Sequence, residues 1–301
     1  MSTADFSLSS LFSVSNKVVV ITGGGTGIAL AKAFAQNGAK VYITGRRVDV
    51  LNKTAEELQL ATKGQVIAIE GDVSTKAGCE AIAQQIAKYE TKVDVLVNCA
   101  GILLPENNIV LNVNDADKLE QTLWGVDDEH WRKTLDINVN GTYFMTIASL
   151  PLLRKSSGAS VINIASGLGW PGFETRAFGA VAYNTSKAAV LHLTENLAAR
   201  LATTKIRVNA LAPGFFPSEM SEGKGNEGGG VHPAILKAGK RNPTGRIGLH
   251  EEIAGPALLL ASKAGGFING TAVLVDGGQA LAGGINDGVR LPDELYTHSG
   301  I

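Results

Sequence analysis

Lys17-Val18-Val19-Val20-Ile21-Thr22-Gly23-Gly24-Gly25-Thr26-Gly27 is the stretch that decides the fold. A β-branched run ends in a glycine cluster, and a helical pattern starts at once from Ile28. Glycine permits the tight turn and lets backbone N–H groups come close to an anion. The helix start that follows adds free N–H groups and a partial positive charge. A glycine cluster alone is a weak signal, and a purely structural turn is the alternative. Its place between a strand and a helix, at the first βα turn, is the context a dinucleotide-binding fingerprint requires.

Working outward, short β-branched runs alternate with longer helical patterns, the mark of a parallel sheet covered on both faces. Strands are expected at Lys17–Thr22, Lys40–Thr44, Val66–Glu70, Val93–Asn98, Ser160–Ile164, Ile206–Leu211 and Ala272–Val275. Helices are expected at Ile28–Asn37, Val48–Leu60, Lys76–Tyr89, Trp131–Leu153, Ala182–Leu201 and Ile253–Ala261. The expected class is α/β, a doubly wound, mostly parallel, seven-stranded sheet of the Rossmann type. There is no internal repeat and no Pro- or Ser-rich linker, so residues 1–301 read as one domain. Three segments look added to that plan: Ile102–Asp127, Gly167–Val181 and Pro217–Ile247. All follow strands, so they would surround the carboxyl edge of the sheet, where open α/β folds bind ligands. The glycine-rich 217–247 segment is the candidate lid. The tail, 283–301, carries no motif.

The net charge of −1 gives no basic field for nucleic acid or an anionic membrane. No run of about 18 apolar residues reads as a membrane span, and the first sixteen residues lack a basic, apolar leader. Cys79 and Cys99 are too few for a disulfide framework, and the five histidines show no metal-ligand spacing. The expectation is a cytoplasmic protein without a metal, acting on a small molecule.

The second strand runs into Gly45-Arg46-Arg47, with no acid before Asp49. An acid here would hold a ribose 2′-hydroxyl, whereas arginine accommodates a 2′-phosphate, so NADP(H) is favoured over NAD(H). Asp72 could accept from an adenine amino group or cap the next helix, although Ser74 is better placed to cap it.

Tyr183-Asn184-Thr185-Ser186-Lys187 puts a phenol and an ammonium one helical turn apart on the same face. Their unperturbed pKa values lie near ~10 and ~10.4. A cation within reach would favour phenolate and lower the phenol pKa, fitting it for proton transfer at a carbonyl or alcohol oxygen. In isolation such a pair is commonly a surface feature.

It is not isolated here. Thr22-Gly23-x-x-x-Gly27-x-Ala29 resembles the TGxxxGxG of the short-chain dehydrogenase/reductase family, Asn98-Cys99-Ala100-Gly101 its NNAG, and Tyr183-x-x-x-Lys187 its YxxxK. Asn138 in Asp136-Ile137-Asn138, Ser166 after Ile162-Asn163-Ile164-Ala165, Pro213-Gly214 and Asp276-Gly277-Gly278 match further landmarks in order. The likeness spans Lys17 to Gly278, 262 of 301 residues. It implies that Tyr183 is the general acid/base and that Lys187 lowers its pKa and binds the nicotinamide ribose. Ser166 would hold the substrate oxygen, and Asn138 would position a water linking Lys187 to solvent. It also implies cofactor contacts from Gly23, Gly25, Thr26, Gly27, Ile28, Arg46, Arg47, Asp72, Val73, Asn98, Ala100, Gly101, Pro213, Gly214, Phe216 and Ser218. Two departures stand out: Ala29 replaces a glycine, and Thr26 sits where many NADP-using members carry a basic residue.

The stretch Pro213-Gly214-Phe215-Phe216-Pro217-Ser218-Glu219-Met220 resembles both rhamnolipid-type and fungal ketoacyl reductase-like members and a branch acting on sugar acids. Leu103, Trp170, Phe173, Phe178, Phe215 and Met220 are the candidate substrate-lining residues, with packing of loops onto the sheet as the alternative. The expected reaction is NADP(H)-dependent reduction of a bulky apolar ketone or β-ketoacyl group. The alternatives are sugar-alcohol or hydroxy-acid oxidation, and a cofactor-binding regulator without turnover. The resemblance further implies a homo-oligomer, dimer or tetramer, formed through Trp131–Leu153 and Ala182–Leu201.

Overall fold

Seven strands pair in one sheet: β1 (Val18–Thr22), β2 (Lys40–Gly45), β3 (Gln65–Glu70), β4 (Val95–Asn98), β5 (Ser160–Ile164), β6 (Arg207–Pro213) and β7 (Ala272–Val275). The structure is a computed structural model that describes residues 4–23, 27–104, 116–172, 180–218, 221 and 231–281. The spatial order is β3-β2-β1-β4-β5-β6-β7 and every pairing is parallel. Strand boundaries fall within two residues of those expected at every end. Between them lie α1 (Leu8–Leu11), α2 (Ile28–Gln36), α3 (Val48–Thr62), α4 (Lys76–Ala87), α5 (Ala116–Trp124), α6 (Asp128–Leu135), α7 (Gly141–Leu153), α8 (Val181–Leu201), α9 (Pro233–Lys240) and α10 (His250–Ala261).

The period-two alternation of a strand explains the two cores. Val19 and Ile21 of β1 face α2, α3 and α10, meeting Leu30, Phe34, Leu58 and Leu260. Val18 and Val20 face α4, α7 and α8, meeting Ile82, Met145, Leu153 and Leu197. Each fully buried side chain of this kind contributes ~1.5–3 kcal/mol of transfer free energy. With both faces covered, the central strands are mostly apolar, as VVVI of β1 is.

The chain leaves β3 and returns to the opposite side of β1, so β1 and β4 are neighbours at the point where the strand order reverses. This switch point is where an open α/β sheet offers its crevice. Gly23 sits there at φ +74°, and a Cβ on it would come within 2.6 Å of the Ala100 Cα. No side chain fits between the two loops, so the β1 and β4 ends converge only with glycine at this position.

Three local expectations need correction. Trp131–Leu153 is not one helix: α6 passes into α7 through a π-helical turn at Asp136–Asn140. The helix cap before α4 is Thr75, whose hydroxyl accepts from Gly78 N at 3.0 Å. Asp72 Oδ1 instead accepts from Ser74 N at 2.9 Å. Finally, Ile102–Asp127 carries a helix of its own, α5. Gly25, Thr26, Phe173, Phe178, Met220 and the 283–301 tail lie outside the described residues, as do 219–220 and 222–230 of the 217–247 segment; within that segment α9 is described.

Candidate active site

Helix α8 carries Tyr183 and Lys187 with their side chains turned inward, 7% and 4% exposed. Lys187 Nζ donates to the Ile164 carbonyl at 2.7 Å and lies 5.7 Å from the Tyr183 ring centroid. A short turn, Gly167–Gly169, presses on α8 at this level: a Cβ on Gly169 would stand 2.5 Å from Ala188 N. That close approach brings Ser166 to the phenol. The Ser166 hydroxyl accepts from Leu168 N at 3.1 Å and hydrogen-bonds Tyr183.

Asn138 projects from the π-helical turn and is 1% exposed. Its Nδ2 donates to Ile102 O at 3.1 Å and Ser186 Oγ at 2.9 Å, and its Oδ1 accepts from Ile102 N at 2.8 Å. Ser186 then donates to Tyr183 O at 2.7 Å. A Cβ on Gly101 would lie 3.3 Å from Lys187 Nζ and 3.4 Å from Asn138 Oδ1. Glycine at this position therefore lets the ammonium and the amide oxygen both pack close against the backbone.

Electrostatics here run against the expectation that Lys187 lowers the phenol. Burial pushes the Tyr183 phenol up to about 12, and the Ser166 hydrogen bond offsets only part of this. Burial also pulls Lys187 down to about 8. Desolvation disfavours phenolate and ammonium alike, and it dominates when both groups are enclosed. Cys99, in the NNAG-like motif, is raised to about 11 by the same cause.

Beneath the site runs a polar ladder that the sequence reading did not single out. Asn98 Nδ2 donates to Thr146 Oγ1 and to Asn163 Oδ1, each at 2.9 Å. Asn163 Nδ2 donates to Thr194 Oγ1 at 2.9 Å, Thr146 Oγ1 to Thr142 O at 2.8 Å, and Thr142 Oγ1 to Asn138 O at 2.8 Å. The Asn98 amide nitrogen thus braces β4 against β5 and α7, while its Oδ1 is buried without a partner among the described residues, and the side chain is not among those lining the cleft. The available signal was a polar residue inside each apolar run, such as Asn163 within Val-Ile-Asn-Ile.

The cleft at the switch point is lined by Gly23, Thr44, Arg46, Arg47, Asp72, Val73, Ala100 and Gly101, among others. The N-cap of α2 is Gly27, which has no side chain to cap the helix, and a helix N-terminus of this kind is suited to an anion. Arg46 and Arg47 are exposed at its rim. Thr44 Oγ1, buried in this wall, has no hydrogen-bond partner among the described residues, an orphan that a nucleotide could satisfy. These features fit a dinucleotide carrying a phosphate near the arginines.

A second cavity adjoins Ser166 and Tyr183 and is walled by Leu103, Leu168, Pro213, Phe215, Phe216 and Ile235. Ser218, Ser221 and Gln279 are its remaining polar side chains. Leu103 and Phe215 thus fall where expected, and Phe216 lines this cavity and not the nucleotide cleft, because its ring lies over Gly248. Trp170 does not line the cavity: it packs on Ala165, Val190, Ala210 and Ala212.

Taken together, the doubly wound sheet and the Tyr–Lys–Ser arrangement define an oxidoreductase interconverting an alcohol and a carbonyl. A family model described as enoyl-(acyl carrier protein) reductase matches residues 20–280. The chain belongs to the short-chain dehydrogenase/reductase family. A short-chain dehydrogenase/reductase of Diaporthe leptostromiformis is 40% identical over 282 residues, spanning 89% of this chain and 93% of that one. The 3-oxoacyl-(acyl-carrier-protein) reductase of rhamnolipid biosynthesis from Pseudomonas aeruginosa is 33% identical over 279 residues, 89% and 97% of the two chains. A gluconate 5-dehydrogenase from Burkholderia cenocepacia, solved with NADP and tartrate, superposes with a TM-score of 0.75 at 27% identity, covering 90% and 98%. Among the described residues no helix is long and apolar enough to cross a membrane, and no cluster of metal-ligating side chains occurs.

Proposed function

We propose that this enzyme reduces a bulky, largely apolar ketone or β-ketoacyl group with NADPH. The observation that carries the reading is the cavity beside Ser166 and Tyr183, whose large apolar side chains are Leu103, Leu168, Phe215, Phe216 and Ile235, with Ser218, Ser221 and Gln279 as further polar groups. Such a wall favours a largely apolar skeleton whose few polar atoms are met by individual side chains.

NADPH, when bound, supplies a hydride to the carbonyl carbon. Arg46 and Arg47 would hold its 2′-phosphate, the α2 N-terminus its pyrophosphate, and Lys187 its nicotinamide ribose. The complex of the gluconate dehydrogenase with NADP supports this choice. Tyr183 delivers its proton to the substrate oxygen, and the Ser166 hydroxyl donates to that same atom. Negative charge develops there, so each preorganised donor is worth ~3 kcal/mol. Asn138 Oδ1 and Lys187 Nζ both lie beside Gly101, and a water held by the two would return a proton toward Tyr183.

Polyol or hydroxy-acid oxidation is the second reading, favoured by the likeness to the gluconate enzyme. A regulator without turnover would have no use for Tyr183 and Ser166 in hydrogen-bond contact. Steady-state assays with aryl ketones, β-ketoacyl thioesters and polyols, with both cofactors, decide between them. Turnover of polyols with NAD⁺ and of no ketone with NADPH would remove the proposal. We also place the enzyme in the cytoplasm as a dimer or tetramer, testable by fractionation and by light scattering.

A further inference from the structure

Gln279 stands just beyond β7, in a backbone segment held from both sides. The Asp276 carboxylate accepts from Gly278 N at 2.9 Å and from Ala280 N at 2.7 Å. The Gln279 side chain lines the catalytic cavity together with Ser166 and Tyr183 and is 4% exposed. Its Oε1 is fully buried and has no hydrogen-bond partner among the described residues. A buried amide oxygen left unpaired is costly, and native structures rarely keep one without a reason.

The other polar groups of this cavity are already committed. The Ser166 and Tyr183 hydroxyls bond each other and serve the reacting oxygen. Ser218 and Ser221 satisfy one another, with Ser218 N donating to Ser221 Oγ at 2.7 Å and Ser221 Oγ to Ser218 O at 2.9 Å. Gln279 Oε1 is therefore a side-chain acceptor within the wall of this pocket that has no donor among the described residues.

We propose that Gln279 sets substrate specificity: its Oε1 accepts a hydrogen bond from a hydroxyl carried by the ketone, on a skeleton that is otherwise apolar. This rests on the ketone-reduction reading above. A site built to bond a hydroxyl discriminates against the analogue that lacks it, because the buried acceptor is then left unpaired.

The test is NADPH-dependent reduction of acetophenone, its 2-, 3- and 4-hydroxy isomers and their methyl ethers. The wild-type enzyme is compared with Gln279→Leu and Gln279→Met, and NADPH Kd is measured for each. One hydroxy isomer should exceed both acetophenone and its own methyl ether by roughly tenfold or more in kcat/KM. In both variants that ratio should collapse toward one, with the Kd for NADPH little changed. Comparing the methyl ether on the wild-type enzyme removes the donor without mutation, so a variant that fails to fold does not rescue the idea. Equal ratios in wild type and variants overturn it. So does a tenfold weaker NADPH Kd with the ratio intact, which would assign the amide to the cofactor. If the wild-type enzyme oxidises NADPH with none of the ketones, the ketone reading itself fails, a result distinct from turnover without discrimination.

Discussion

The two halves of the carboxyl edge are built from different material. At the ends of β1, β2, β3 and β4 the cleft brings glycine and alanine together, Gly23, Gly45, Gly71, Ala100 and Gly101, with Arg46, Arg47 and Asp72 beside them. Around β5, β6 and β7 the cavity is made of large side chains from separate segments: Leu103, Leu168, Phe215, Phe216 and Ile235. Backbone N–H groups can reach a phosphate only where side chains are absent, so the first half demands particular residues at particular positions. The second half demands only apolar volume, which many residues from many loops can supply. A fixed cofactor with a variable substrate is what this division produces.

The sharpest way to break the comparison is at the shared boundary, Tyr183. Tyr183→Phe should lower kcat by roughly a hundred- to ten-thousand-fold, with the NADPH Kd moving less than about twofold by fluorescence titration. Full activity in that variant would remove Tyr183 from the chemistry. Within the nucleotide half, Arg46→Asp should weaken NADPH on the order of ten- to a hundred-fold while leaving NADH little affected. Parallel losses for both cofactors would show that Arg46 does not read the 2′-phosphate.

Lys187→Met separates function from stability. A buried ammonium costs desolvation energy, so this inactive variant should be more stable than wild type at pH 7 by ~1–3 kcal/mol in denaturant titrations. Lys187 titrates near 8 in the folded protein against 10.5 ordinarily. Between those values the unfolded chain holds more protons, so wild-type stability gains from this group as pH rises through that window. The advantage of the variant should therefore shrink from pH 8 to 10.5; an unchanging gap would mean that Lys187 is not desolvated. The smallest effect is expected for Thr44→Val. Removing an orphan hydroxyl should leave the protein alone equally stable or better by ~1 kcal/mol, and weaken NADPH by about two- to fivefold. An unchanged NADPH Kd would show that the hydroxyl has no nucleotide partner.

Much of this was legible in the chain. The strand–glycine–helix junction at Lys17–Ile28 located the switch point, because periodicity and glycine placement are local properties. Tyr183 and Lys187 shared a face because helical spacing puts them there. Trp170 was misplaced for a physical reason: an aromatic near the site gains as much by packing on Ala165 and Val190 as by lining a pocket, and sequence cannot weigh the two. Thr44, Ser186 and Gln279 were missed since each is an ordinary polar residue until burial leaves it bonded to a catalytic neighbour or unpaired.

The sequence by itself determined the parallel sheet, the order of its motifs and the residue types for proton transfer, all of which depend on neighbours within a few positions. Only the tertiary structure decided the electrostatics and the pocket. Tyr183 and Lys187 are both shifted against their charged forms because helix, turn and strands enclose them together. The apolar cavity and the lone acceptor of Gln279 arise from segments that lie far apart in the chain and meet only at the edge of the folded sheet.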